Sequence, residues 1–464
     1  MSKKFQTISP IDNSIYLERE YSTGSEITLA LGDAERAQKD WSNTSIKQRA
    51  VICLKAVDAL LEKQADIAEE ITRQMGRPIQ YSAGEIAGFA DRARYMISIA
   101  EEKLEDIQVK EIEGFNRFIR RQPLGVVLAI SPWNYPFLTA VNSIIPAIMS
   151  GNSVVLKPSA QAPLTAERIK EAFDTSGLPT GVFQCLYLDH NSTSNLIQND
   201  CINYVAFTGS VQGGLAVQDA VKDRFIGSGL ELGGKDPAYV REDANLETAV
   251  PNLVDGAYFN SGQSCCGIER IYVHNSMYEE FVERFVKEVN NYVLGDPMDS
   301  STTLGPMVRV SAADFVRQQI NDAVAAGATA CIDATKFNAS KAGTAYLAPQ
   351  VLINVNHTMS VMCDESFGPI VGIMSVTSDV EAIELMNDSE FGLTASVWTK
   401  DEATALAMGN EINAGTFFMN RCDYLDPALA WSGFKNSGRG CTLSEIGYEQ
   451  LTRPKSFHLK RKES

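Results

Sequence analysis

The stretch Leu124-Gly-Val126-Val-Leu-Ala-Ile130-Ser131-Pro132-Trp133-Asn134-Tyr135-Pro136 decides the fold. Five apolar residues rich in β-branched side chains form a run that suits a buried strand, and it breaks at a Pro-rich turn. An apolar helix through Ile148 follows, and the pattern then repeats. Ser153 to Leu156, Val182 to Tyr187 and Tyr204 to Phe207 read as further short strands. Leu164 to Phe173 suits a helix ended by Gly177 and Pro179. Strands alternating with helices at this rhythm imply a parallel sheet with crossovers, an open α/β domain of nucleotide-binding type. Ligands of such domains lie beyond the carboxyl ends of the strands, where the loop Ser131–Pro136 falls. Upstream, residues 33–105 read as helical, with Ile52, Ala56, Ala59 and Leu60 at three-to-four spacing. Downstream, a second α/β region begins at about residue 234, with helices near 277–293 and 311–326 and strands near 271–273 and 371–376. The nucleotide fingerprint G-x-G-x-x-G is missing; the nearest glycine clusters are Gly209 to Gly214 and Gly227-Ser-Gly229.

At 464 residues the chain suits two or three domains. With 44% apolar and 21% charged residues, it has the composition of a soluble globular protein. A net charge of −17 disfavours polyanions such as nucleic acid, and the short run Lys460-Arg461-Lys462 reads as a solvated tail. The first ten residues lack the apolar core of a secretory signal, and no apolar run nears the ~18 residues of a membrane span. The final residues match no sorting address, so the expected compartment is the cytoplasm. Nine cysteines contain no Cys-x-x-Cys pair, and the four histidines (His190, His274, His357 and His458) are far apart. A disulfide framework and a metal cluster are therefore not expected. A nucleophile in this chain has to find a base other than histidine.

Three stretches carry candidate chemistry. In Phe259-Asn-Ser-Gly-Gln-Ser-Cys265-Cys266, a cysteine in an apolar context is commonly an inert small hydrophobe, but the glycine and polar residues before it suggest a turn that exposes the thiol. A reactive thiol needs a nearby base or dipole to ionise. In Leu230-Glu231-Leu232-Gly233-Gly234-Lys235, Glu231 reads either as an exposed acid at a strand end or as a desolvated carboxylate suited to general-base work. Asn134 is either a turn former or an amide donor for an oxyanion.

Together these stretches resemble the aldehyde dehydrogenase superfamily over nearly the whole chain. Its signatures stand in order as Pro132-Trp-Asn-Tyr-Pro136, Leu156-Lys-Pro-Ser159, Phe207-Thr-Gly-Ser210, Glu231-Leu-Gly-Gly-Lys235, Asn260-x-Gly-Gln-x-Cys265 and Glu365-Ser-Phe-Gly-Pro369. The resemblance implies a Rossmann-like cofactor-binding domain, an α/β catalytic domain and a small β oligomerisation arm. Carried over, the boundaries are 1–105 and 124–233, with 433–452 returning, for the cofactor domain. The catalytic domain spans 234–432, and the arm 106–123 and 453–464. The resemblance also implies Cys265 as nucleophile, Asn134 and the Cys265 N–H as oxyanion hole, and Glu231 as the base for deacylation. NAD or NADP would be held by Trp133, Lys157, Ser159, Gly209, Ser210, Leu232, Glu365 and Phe367, with no metal. The product is a carboxylic acid, formed through a thiohemiacetal and a thioester. A homodimer or homotetramer is implied, pairing through a β-hairpin near residues 106–123 and the C-terminal strand, within which Phe118-Ile-Arg-Arg-Gln122 and Lys455-Ser-Phe-His-Leu459 alternate suitably for edge strands.

The chain departs from the pattern at three places. Ala160 stands where many NAD-preferring members carry a glutamate, which leaves NADP open. Asn142 replaces an arginine common in relatives that oxidise succinate semialdehyde, weakening an acidic-semialdehyde alternative without excluding an anchor elsewhere. Cys441-Thr442 replaces Arg-Glu in the C-terminal motif, a change expected to alter packing rather than chemistry. Of the competing readings, a CoA-acylating enzyme is disfavoured by Glu231, because a hydrolytic base is unhelpful when a thiol must take the acyl group. A cysteine hydrolase is disfavoured by the missing histidine, and a catalytically dead binding protein by the joint presence of Cys265, Glu231 and Asn134.

Overall fold

The computed structural model describes residues 3–461. Lys462, part of the basic tail, and the terminal Glu463-Ser464 lie outside the described residues, as do Met1 and Ser2. The opening stretch forms the strand Val126–Ile130, and the expected repeats form Ser153–Lys157, Phe183–Cys185 and Ile202–Thr208. With Gly227–Glu231 these make a parallel sheet in the order Gly227–Glu231, Ile202–Thr208, Val126–Ile130, Ser153–Lys157, Phe183–Cys185. Every residue of Val126–Ile130 is buried, as a central strand covered on both faces requires. A late segment, Gly438–Arg439, returns to pair antiparallel with Leu230 and Glu231.

The second α/β region forms a seven-stranded sheet with Ile268–His274 and Asp236–Val240 near its middle. Its strands are parallel except for the short Thr329–Ala330. The α/β fold class expected from the alternating pattern therefore holds. The upstream helical reading resolves into Gly24–Trp41, Ile46–Glu62, Gln64–Met75 and Ile79–Lys103. The first two carry full capping boxes, with Thr23 reciprocating Glu26 and Ser45 reciprocating Gln48.

Phe115–Pro123 and Thr452–Lys460 pair with each other along their length, stacking Phe118 on Phe457. Ile107–Gln108 covers the other side of Phe118 and Ile119. Ile107–Gln108 and Phe115–Pro123 thus pair antiparallel within the expected hairpin region, and Thr452–Lys460 lies at an edge as expected, but Phe115–Pro123 is the middle strand rather than an edge. No helix among the described residues is long and apolar enough to cross a membrane, and none of their His, Cys, Asp and Glu side chains form a group that could hold a metal.

Candidate active site

Cys265 follows a tight backbone turn in which Asn260, Ser261 and Gly262 all have positive φ, at 53°, 56° and 69°. For the two non-glycine residues this conformation costs on the order of 1–3 kcal/mol each and needs compensation. Gln263 Nε2 donates to the Asn260 carbonyl at 3.1 Å, and Ser261 Oγ donates to the Gly305 carbonyl at 2.8 Å. Gly262 is obligatory for a second reason: a Cβ there would lie 2.1 Å from the Gly368 carbonyl oxygen. The turn leaves Cys265 half-buried on a cavity of about 330 Å³, whereas Cys266 is 3% exposed. The Cys266 thiol donates to Asp423 Oδ1 at 3.0 Å, and the adjacent Cys265, burial and Asp423 push its pKa well above the ordinary range. Asp423 also accepts from Ser264 Oγ at 3.0 Å, and burial pushes its carboxyl up to about 6.

Glu231 ends its strand beside the same cavity. Burial pushes its carboxyl above the usual range, opposed by hydroxyls of Thr442 and Thr208 that donate to its two oxygens. The sharper of the two readings of Glu231, a desolvated carboxylate, is the one that the geometry carries. Thr442 corrects an expectation: the change at Cys441-Thr442 does more than repack, because the threonine hydroxyl binds the carboxylate itself. Thr208 and Thr442 also border a hollow of about 20 Å³ behind Glu231, room for one water.

Asn134 is buried, and its Nδ2 donates to the Gln263 carbonyl at 3.2 Å, which ties it to the cysteine turn. It does not border the large cavity in this arrangement. Its loop is held by Arg77, which sequence reasoning missed. Arg77 donates to the Asn134 carbonyl, and its Nε donates to Asn260 Oδ1 at 3.1 Å. It also forms a fully buried ion pair with Glu85, which accepts from the N–H groups of Phe137 and Leu138 at the start of the helix Pro136–Met149. One ion pair therefore orients the Asn134 loop, the cysteine turn and that helix. No local pattern marks either residue.

A second cleft, of about 260 Å³, contains Trp133, Glu365 and Phe367. Trp133 meets Phe367 edge-on with centroids 5.7 Å apart. Glu365 Oε1 accepts from Gly234 N–H at 3.0 Å, and burial, then nearby Glu269, push its carboxyl up to about 8. Its approach requires Gly233, where a Cβ would lie 2.4 Å from the carboxylate. Glu269, also missed, accepts from the N–H groups of Ser366 and Phe367 at 2.8 and 2.9 Å and from buried Lys235 Nζ at 2.5 Å.

Lys157 and Ser159 lie at the carboxyl end of Ser153–Lys157, and burial lowers the Lys157 pKa. Among the described residues Lys157 has no carboxylate within 4.0 Å. The nearby Ala160 carbonyl accepts from Thr7. Ser210 caps the helix Val211–Val221 by accepting from Gly213 N–H, while the Gly209 N–H is taken by the Glu231 carbonyl. Leu232 is buried against that helix, where a Cβ on Gly214 would lie 2.7 Å from it. The structure thus gathers Cys265 and Glu231 on one cavity and Trp133, Glu365 and Phe367 in another cleft. Lys157, Ser159, Gly209 and Ser210 lie along neighbouring strand ends and border neither space.

The model of the aldehyde dehydrogenase family matches residues 1–457. The chain is 34% identical to an aldehyde dehydrogenase of Paenarthrobacter nicotinovorans, covering 97% of this chain and 98% of that one. It is also 34% identical to the succinate semialdehyde dehydrogenase [NAD(P)+] Sad of Escherichia coli, covering 92% and 91%. A succinic semialdehyde dehydrogenase from Streptococcus pyogenes, solved with NADP+, superposes with a TM-score of 0.94 at 28% identity, covering 98% of this chain and all of that one. The chain belongs to the aldehyde dehydrogenase family.

Proposed function

We propose that this chain oxidises an aldehyde to its carboxylic acid with NAD or NADP, with Cys265 as nucleophile and Glu231 as hydrolytic base. The observation that carries this reading is the pair itself: one half-buried thiol and one desolvated carboxylate border a single cavity. Cys265 attacks the aldehyde carbon as a thiolate, and the Asn134 amide with the Cys265 N–H stabilises the alkoxide. Such a donor is typically worth ~3 kcal/mol in the transition state. The nicotinamide, when bound, supplies the hydride acceptor that turns the thiohemiacetal into a thioester. Glu231 then takes a proton from water, which attacks the acyl carbon and releases the acid while the Cys265 sulfur leaves.

The residues present fit a nicotinamide dinucleotide. Glu365 uses only one oxygen on Gly234 among the described residues, which leaves an acceptor for a ribose hydroxyl beside Trp133 and Phe367. Lys157 is a half-buried cation without a partner carboxylate among those residues, suited to the adenosine ribose. Gly209, Ser210 and Leu232 surround the start of an 11-residue helix, whose terminus favours a pyrophosphate. Ser159 lies two residues beyond Lys157 on the same strand end, within the same proposed adenosine site. Ala160 places no carboxylate against a 2′-phosphate, so both cofactors are accommodated.

A homodimer or homotetramer is part of the same proposal, supported by the open flank of Thr452–Lys460. A strictly monomeric mass in light scattering at micromolar concentration would contradict it. A cytoplasmic location without a nucleic-acid partner accords with the charge of −17. The activity is tested by following absorbance of reduced cofactor across an aldehyde panel with NAD and NADP. Formation of acid and reduced cofactor in equal amounts is expected; cofactor reduction only when CoA is added would favour the acylating alternative.

A further inference from the structure

The cavity at Cys265 contains a cation that the reaction described above does not use. Arg92 stands on the helix Ile79–Lys103 and borders the cavity together with Glu231 and Cys265. Its Nη1 donates to the Leu138 carbonyl at 2.7 Å and to Asn142 Oδ1 at 3.3 Å, both on the facing helix Pro136–Met149. Among the described residues, Nε and Nη2 have no acceptor, and no carboxylate lies within 4.0 Å of the guanidinium. Arg92 is half-buried, and burial pushes its pKa down, opposed in part by Cys266 and then the Glu231 carboxylate. Arginine cannot escape that cost by losing its proton, and buried charges are ordinarily paired.

The free edge has a definite shape. Nε–H and Nη2–H are the two parallel donors that engage a carboxylate bidentately. Nη1 is anchored to the facing helix, so the fork is already oriented. Asn142, the neutral residue that weakened an acidic-substrate reading in the sequence, is here the acceptor that fixes this orientation.

We infer that Arg92 binds the distal carboxylate of the substrate, so that the preferred substrate is a short aldehyde carrying a carboxylate at its far end. The inference rests on the aldehyde-oxidising reading of Cys265 and Glu231. Besides Glu231, three acids share the cavity wall and set the competing possibility of a cationic tail. Asp91 and Asp255 are exposed to solvent, and Asp423 is engaged by Ser264 and Cys266. Arg92 is the group whose donors are left over, and it decides the sign.

The test compares three four-carbon aldehydes matched in length: butanal, 4-oxobutanoate and 4-aminobutanal. Wild type should give the highest kcat/KM with 4-oxobutanoate. Arg92→Met should lower the ratio of kcat/KM for 4-oxobutanoate over butanal by roughly 10–100-fold, the weight of a charge-assisted bidentate contact. Arg92→Lys, which keeps the charge but loses the fork, should fall between. A readout independent of turnover uses wild type alone: succinate should protect Cys265 from iodoacetamide, followed by intact mass, far better than butanoate does. A preference for 4-aminobutanal, an unchanged ratio in Arg92→Met, or equal protection by succinate and butanoate overturns the inference. Should none of the three aldehydes reduce NAD or NADP in wild type, the underlying dehydrogenase reading fails instead, and the two failures are thereby distinguished.

Discussion

The two recesses flanking the cysteine turn hold their carboxylates by different means. In the Trp133–Phe367 cleft, backbone N–H groups do most of it: Gly234 for Glu365, and Ser366 and Phe367, joined by the Lys235 ammonium, for Glu269. In the Cys265–Glu231 cavity, side chains do it: Thr208 and Thr442 for Glu231, and Ser264 and Cys266 for Asp423. A backbone donor survives substitution of its residue, whereas a hydroxyl donor disappears with a single change. The proposed cofactor cleft is therefore constrained largely by the path of the chain, and the proposed aldehyde cavity can be retuned one residue at a time. That division suits an enzyme whose cofactor is constant and whose substrate varies.

The largest effect should come from the nucleophile. Cys265→Ala is expected to abolish turnover, while Cys266→Ala keeps most of it, because Cys266, although it lines the same cavity, is only 3% exposed and its thiol is held by Asp423. Steady-state rates of the two variants decide this, and equal loss from both would remove the distinction between the cysteines. Next is Glu231→Gln, expected to release one equivalent of reduced cofactor per site and then stall with the acyl group on Cys265. Loss of a general base slows its step by ~10²–10⁴-fold, enough to make deacylation limiting. Stopped-flow absorbance and intact mass follow the burst and the adduct. Unchanged steady-state turnover would refute the hydrolytic role.

The contrast between the recesses also governs what could be read from the sequence. Glu365, Phe367, Trp133 and Cys265 stand in contiguous motifs because each lies on a turn whose shape demands particular neighbours, such as Gly233 under Glu365 or Gly262 before Cys265. The strand–helix rhythm from Val126 to Phe207 was legible for a similar reason: burial on both faces forces continuous apolar runs. Arg77, Arg92, Glu269, Asp423 and Thr442 were not legible. Thr442 reaches Glu231 across 211 residues, and Arg77 reaches Asn260 across 183. Such pairings depend on how the two sheets are brought together, and no local period encodes that. The reading of Cys441-Thr442 as a packing change failed because only the returning strand Gly438–Arg439 brings the threonine to the carboxylate.

Within the proposed cofactor cleft, the sensitive point should be the buried ion pair behind the backbone donors. Glu269→Gln leaves Lys235 as a buried cation that has lost its partner, a change that typically costs about 3–5 kcal/mol. A lowered denaturation midpoint is expected, together with a raised KM for the cofactor, since Ser366 and Phe367 lose the carboxylate that they donate to. A stable variant with an unaltered cofactor KM would show that the backbone path alone positions Phe367.

The smallest effect, and the sharpest probe of retuning by side chains, is expected for Thr442→Val. The substitution keeps the shape and removes one hydroxyl from Glu231, leaving Thr208 in place. Burial already favours the protonated acid, and both hydroxyls favour the carboxylate. Removing one must therefore raise the Glu231 pKa further. The base works only when ionised, so the acidic limb of the deacylation rate should move to higher pH, with the plateau above it largely retained. At neutral pH the loss should be roughly fivefold, corresponding to about 1 kcal/mol for one hydrogen bond. Thr442→Ser, which restores the hydroxyl, should return the limb to its wild-type position. A purely structural role for Thr442 would lower the plateau without moving the limb and would leave serine no better than valine. A pH profile of single-turnover deacylation separates the two outcomes, and an unmoved limb in Thr442→Val would mean that Thr208 and burial alone set the charge of the base.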